Sequence, residues 1–165
     1  MMTSKQILIV DDEPALAMGL AEVLRQSNQQ YQVSVVHSGE EALERLHRSP
    51  QDLLITDLCM SGINGMELIR WVRDSYPHMP TILTTAKEGD AVAQKARSAG
   101  AWGFIAKPFD LQLLFETVDN VLHSPRAEGS TAWPSCQIDG RTATRSSPTP
   151  LAGPAASQPD PRARQ

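Results

Sequence analysis

Four short runs in this chain of 165 residues end in side chains that could handle a phosphoryl group. Ile7 to Val10 leads into Asp11, Asp12 and Glu13, and Leu53 to Thr56 leads into Asp57. Thr81 to Thr85 closes on the hydroxyls of Thr84 and Thr85, and Trp102 to Ala106 leads to Lys107 and Pro108. Carboxylates gathered in one place repel each other, so their joint ionisation needs a compensating cation. All-oxygen ligation with retained water suits Mg2+, or Mn2+ in its stead. The ammonium of Lys107 could neutralise a phosphoryl oxygen, and the hydroxyl of Thr85 could follow that oxygen once it is attached. Such a set is suited to phosphate on a carboxylate, with metal and lysine stabilising charge during in-line attack. Taken singly, each residue has a plainer explanation. An acid at a strand end also solubilises a loop, Lys-Pro is a common turn, and Thr is a good strand former. The combination carries the reading.

For these residues to converge, the runs must be parallel strands. Ile7 to Val10 is continuously apolar, as a strand buried on both faces of a parallel sheet should be. Val33 to Val36, Leu53 to Thr56, Thr81 to Thr85 and Trp102 to Ala106 repeat the theme at ordinary strand length. Helical periodicity lies between them. After Pro14, Leu16, Leu20, Val23 and Leu24 form an apolar stripe. Ser38 is an N-cap with Glu41 three residues on, as in a capping box, with Ala42, Leu43 and Leu46 inward and Pro50 as the stop. The third helix spans about Gly65 to Ser75 with Met66, Ile69 and Val72 inward, ended by Pro77. The fourth spans about Asp90 to Ala99 through Val92, Ala96 and Ala99, closed by Gly100. Asp110 can cap a fifth with the stripe Leu111, Leu114, Val118, Val121 and Leu122. Five strands alternating with five helices predict an α/β doubly wound five-stranded parallel sheet covered on both faces. Two strand orders are common for such sheets, and either places ligands beyond the carboxyl ends of the strands.

Composition changes at His123. Seven of the twelve prolines fall in residues 124–165, among Ser, Thr, Ala and Gly, which predicts a folded domain over 1–123 and a disordered tail over 124–165. Residues 1–123 hold ten basic and sixteen acidic side chains, net −6, whereas the tail is net +2, so no overall field favours nucleic acid or an anionic membrane. A tail of this composition cannot build the core of a DNA-binding domain. Cys59 and Cys136 lie far apart in segments of different character, suggesting neither a disulfide framework nor a metal knuckle. The start resembles no secretory leader and no run approaches the roughly 18 apolar residues of a membrane span, so the expectation is a cytoplasmic protein. His37, His47, His78 and His123 are scattered and read as surface residues. Glu40 and Glu41 read as a solvated helix face, and Trp102 as packing or an exposed anchor.

Together ILIVDDEP (7–14), LLITDLCMSGINGMEL (53–68), PTILTTA (80–86) and GAWGFIAKPF (100–109) resemble the receiver domain of a two-component response regulator, chemotaxis-regulator-like, over residues 5–122. That resemblance implies the flavodoxin-like order 2-1-3-4-5. It implies that Asp57 is the phosphoacceptor, served by a sensor histidine kinase or phosphotransfer protein. It further implies Mg2+ on Asp12, Asp57 and the backbone carbonyl of Cys59, with Asp11 acting largely through water. Thr85 becomes the switch hydroxyl, Phe104 the switch aromatic that moves into space vacated by Thr85, and Lys107 the phosphate-binding ammonium. Cys59 and Lys87, each two residues past a key position, become modulators of the lifetime of the phosphorylated state. Two departures stand out: Ser61 replaces a customary proline, removing a φ restraint from the loop after Asp57, and Phe104 replaces a frequent tyrosine.

The implied function is a phosphorylation-gated binding switch, not an enzyme with an independent substrate. Its output would pass to a downstream protein, to a second copy through the fourth and fifth helices, or through the tail, without direct nucleic-acid or membrane binding. A haloacid-dehalogenase-type phosphatase would use similar groups, but its D-x-D-x-T motif is missing after the first strand. A scaffold receiver that works without phosphorylation would be expected to lack one of Asp12, Asp57, Thr85 and Lys107, and all four are present.

Overall fold

A computed structural model describes residues 4–87 and 89–123. The proposed tail and Cys136 lie outside the described residues. Strands and helices alternate as β1 (Lys5–Val10), α1 (Pro14–Ser27), β2 (Tyr31–Val36), α2 (Gly39–Arg48), β3 (Leu53–Asp57), α3 (Gly65–Ser75), β4 (Thr81–Thr85), α4 (Asp90–Ala99), β5 (Gly103–Ala106) and α5 (Leu111–His123). All pairings are parallel and the order is 2-1-3-4-5.

Successive side chains on a strand face opposite ways, which explains why the central runs are continuously apolar. Ile7 and Ile9 of β1, with Leu53 and Ile55 of β3, join Leu20, Leu24, Leu114 and Val118 under α1 and α5. Leu8, Val10 and Leu54 point the other way, onto Ala42, Leu46, Leu68 and Val72 of α2 and α3. A third cluster puts Leu83 and Phe104 against Ile69 of α3 and against Ala96 and Ala99 of α4. Each fully buried Leu or Ile contributes on the order of 2 kcal/mol.

Several boundaries differ from the apolar pattern for identifiable reasons. β1 and β2 begin earlier because Lys5 pairs with Tyr31 and Gln6 with Gln32, polar residues that hydropathy passes over. β3 reaches Asp57, which pairs with Thr84, so Asp57 belongs to the sheet ladder. β5 starts at Gly103, and Trp102 is half-buried against the core, as a packing residue. The inward stripe of α1 is Ala17, Leu20, Ala21 and Leu24, with Leu16 and Val23 only half-buried: small alanines bring the helix close to the sheet. On α5, Leu111 is exposed instead of inward. Met66 and Val92 are partly buried against the third cluster.

Caps follow their chemistry. Ser38 Oγ accepts from Glu41 N at 3.2 Å, but the Glu41 carboxylate accepts from His37 N at 3.0 Å, not from Ser38, so the predicted reciprocal box is displaced by one residue. A complete box, unforeseen in the sequence, occurs at Asn64 and Glu67. Asp110 Oδ1 accepts from Gln112 N and Leu113 N at 2.9 and 3.2 Å, as expected of a cap. Gly100 ends α4 at φ 108°, a conformation open to glycine. Tyr31 ties β2 to α5 through Asp119 at 3.0 Å, and its phenol is pushed up to about 12 by burial and by that hydrogen bond. The four histidines are exposed. No helix among the described residues is long and apolar enough to cross a membrane.

Two glycines should respond oppositely to alanine. A Cβ on Gly65 would lie 2.1 Å from the Asp57 carbonyl oxygen, whereas one on Gly19, inside α1, meets nothing within 4 Å. Urea denaturation should show Gly65→Ala destabilised by about 2–3 kcal/mol and Gly19→Ala stabilised by about 0.5–1 kcal/mol. Equal effects at the two positions would contradict this packing.

Candidate functional site

Parallel strands deliver their last residues to one rim, and the order 2-1-3-4-5 makes β1 and β3 neighbours. Asp11 and Asp57 therefore stand side by side, while Lys107, just past β5, reaches across the end of β4. Its Nζ lies 2.8 Å from Asp11 Oδ2 and 2.8 Å from Asp57 Oδ1. The three side chains retain only 14%, 4% and 7% of their exposure, for Lys107, Asp11 and Asp57 respectively. Each carboxylate uses its other oxygen on a backbone amide of the loop that follows it. Asp11 Oδ1 accepts from Glu13 N at 2.9 Å and Asp57 Oδ2 from Cys59 N at 2.7 Å. Burial alone would push the Lys107 pKa down. Hydrogen bonds to Asp11 and Asp57, and the charges behind them, more than offset that, so it lies above the ordinary lysine value.

Thr85, the last residue of β4, is buried, and its Oγ1 accepts from Lys87 N at 2.9 Å. Its carbonyl accepts from Lys107 N at 2.8 Å, tying the threonine and lysine positions together through the backbone. Asp12, Cys59 and Lys87 are exposed around this centre. Phe104 lies inward, 2% exposed, and Thr85 is buried at 1%. The ring packs with Leu83, Ile69 and the small side chains of Ala96 and Ala99 on α4.

Two contacts had no sequence signal. His37 Nδ1 lies 3.1 Å from the carbonyl oxygen of Asp11, and since a carbonyl only accepts, Nδ1 carries the proton. Glu40, read as a solvated charge, accepts from Ile63 N at 3.2 Å in the loop after β3. Both contacts join segments distant in sequence, which no local pattern announces.

Among the described residues no three His, Cys, Asp or Glu side chains are grouped to hold a metal ion in this arrangement. Lys107 is the cation between Asp11 and Asp57. The donor chemistry nevertheless fits a hard divalent ion: two ionised carboxylates share one ammonium, leaving net negative charge, with exposed Asp12 adjacent.

An acid pair bridged by a lysine at the carboxyl rim of a doubly wound sheet defines a class, and comparison with known proteins specifies it. Residues 7–119 match the response regulator receiver domain, and the chain belongs to that family. It is 34% identical over 127 residues to the transcriptional regulatory protein GlrR of Escherichia coli K12, covering 77% of this chain and 28% of that protein. To the transcriptional activator protein ExaE of Pseudomonas putida it is 33% identical over 116 residues, covering 70% of this chain and 54% of that protein. The chain thus spans about a quarter to about half the length of these curated relatives. Among solved structures, the chemotaxis protein CheY4 of Vibrio cholerae superposes with a TM-score of 0.68 at 27% identity, covering 73% of this chain and 100% of that one. A response regulator from Chloroflexus aurantiacus does so at 0.68 and 35%, covering 73% and 98%. A receiver domain is a signalling module of two-component regulation, not a classical enzyme, and such domains generally bind Mg2+ for phosphorylation.

The bridging ammonium makes a pH-dependent prediction. Lys107→Met leaves two buried carboxylates facing each other and should be less stable than wild type at pH 7 by roughly 3 kcal/mol. Because the native pKa is raised, the stabilisation is fully present below the unfolded-state value of 10.5 and is lost as pH rises through the native value. In urea titrations without divalent ions, the gap between the two proteins should hold from pH 7 to 10.5 and narrow above it. A gap that first narrows on acidification to pH 7 would overturn this assignment.

Proposed function

We propose that the chain is a phosphorylation-gated binding switch in which Asp57 takes a phosphoryl group from a sensor histidine kinase or a phosphotransfer protein. The observation that carries this reading is the Lys107 ammonium held 2.8 Å from a buried Asp57 carboxylate whose second oxygen is fixed by Cys59 N at 2.7 Å. A carboxylate so held is oriented before any reaction. An Asp57 oxygen attacks phosphorus, forming the O–P bond. The bond from phosphorus to the donor imidazole nitrogen breaks, and its electron pair returns to the imidazole. Lys107 stays protonated and is placed to neutralise a phosphoryl oxygen.

Asp11, Asp12, Asp57 and the backbone carbonyl of Cys59 would hold Mg2+ or Mn2+, Asp11 through water. When bound, that ion would supply the remaining countercharge for the phosphoryl oxygens. Thr85 Oγ1 accepts from Lys87 N, which leaves its proton for a phosphoryl oxygen. Turning toward the phosphoryl group would pull Thr85 off Lys87 N and loosen the turn into α4. The α4–β5–α5 surface is thereby biased between two conformations, with Phe104 following as a shift in population. Readout is a changed affinity for a downstream protein or for a second copy of the chain. Cys59 and Lys87, exposed at the rim, are proposed to set the lifetime of the phosphorylated state. Cytoplasmic operation, without direct nucleic-acid or membrane contact, completes the reading.

Intact mass after incubation with acetyl phosphate tests it. Wild type with Mg2+ should gain about 80 Da, one phosphoryl group, and both Asp57→Asn and wild type in EDTA should gain nothing. No gain in wild type where a control receiver reacts would favour a scaffold that works without phosphorylation. The lysine assignment has its own check: an unchanged dephosphorylation rate in Lys87→Ala removes Lys87 from the mechanism.

A further inference from the structure

We infer that Glu40 is a positioning residue for the phosphoacceptor, acting through the loop between β3 and α3. The inference rests on Asp57 being the acceptor, as proposed above. Three observations place the first turn of α2 on that loop. Glu40 Oε1 accepts from Ile63 N at 3.2 Å. Gly62 adopts φ 74°, and a Cβ there would lie 2.5 Å from Glu40 Oε1, so the carboxylate sits directly on the turned backbone. Gly39 approaches so closely that its own Cβ would lie 2.6 Å from Ile63 Cβ and from Ile63 O.

The loop needs such a tether. Its ends are closed by Gly65 N on Leu58 O at 3.2 Å, and near its start Cys59 N holds Asp57 Oδ2 at 2.7 Å. Between them, Ser61 leaves φ free where a proline would restrain it, and its N–H makes no hydrogen bond among the described residues. Glu40 supplies the missing restraint from outside the loop. The same segment also reaches the other acid loop, because His37 Nδ1 meets the Asp11 carbonyl at 3.1 Å and His37 N meets Glu41 Oε2 at 3.0 Å. Residues 37–41 therefore brace both loops that carry the acids. Glu40 is the member that can be removed without touching Asp11, since its hydrogen bond goes to Ile63.

Without this carboxylate the Gly62–Ile63 backbone is released, Cys59 N drifts from Asp57 Oδ2, and the acceptor loses its fixed orientation. Two readouts in the full chain test this. Amide hydrogen exchange, measured by NMR with neither Mg2+ nor phosphoryl donor, should be about fivefold faster at Cys59 in Glu40→Ala than in wild type, the factor corresponding to one hydrogen bond. The initial rate of phosphorylation by acetyl phosphate should fall by about the same factor. Glu40→Gln keeps an acceptor oxygen and should match wild type in both. Unchanged Cys59 exchange in Glu40→Ala, or a Glu40→Gln variant as impaired as Glu40→Ala, would overturn the assignment. A wild type that takes up no phosphoryl group would refute the acceptor reading instead, and the exchange data would still decide the role of Glu40.

Discussion

Two ionised carboxylates at the ends of neighbouring strands, largely withdrawn from water, would repel each other strongly. The fold resolves this by bringing one ammonium to both, Lys107 at 2.8 Å from Asp11 and from Asp57. Since β4 lies between β3 and β5, the lysine must cross the end of an intervening strand to do so. Its stem fits that role: four methylenes carry a charge several ångströms from a backbone that is itself pinned to Thr85 O. The arrangement leaves unbalanced negative charge at the rim, which favours a further cation there.

Such spacing demands backbones that approach closely. Gly65 lets α3 start against the carbonyl of Asp57, and Gly103 lets Thr117 of α5 sit where a Cβ would be 3.0 Å from its Cγ2. Ala17 and Ala21 of α1 serve the same end over β1. The glycines and alanines set the distances between layers, and the large aliphatic residues fill what remains. Loop geometry at the rim is held by amide donors, Cys59 N and Glu13 N, so the acids are oriented by the chain segments they begin.

Much of this was legible from the linear pattern. Five apolar runs marked all five strands because a sheet covered on both faces hides both sides of its strands, and β4 agrees with its run at both ends. Asp57, Thr85 and Lys107 could be picked out because each closes such a run. Polar strand starts at Lys5 and Gln6, the alanine face of α1 and the exposure of Leu111 were not legible. Ladder pairing and helix rotation, not hydropathy, decide those. The surroundings of Phe104 were not legible either, because they are built from Ile69, Ala96, Ala99 and Ala101 of other segments.

Sequence alone determined the alternation of elements and the chemical types at the strand ends, because burial on two faces and the proposed phosphoryl chemistry both restrict residue choice locally. Tertiary structure decided the rest: that Lys107 bridges Asp11 and Asp57, that His37 holds the Asp11 carbonyl, and that Glu40 grips the loop at Ile63. These contacts join residues 96, 50, 26 and 23 positions apart, and their geometry exists only once the strands have taken their order.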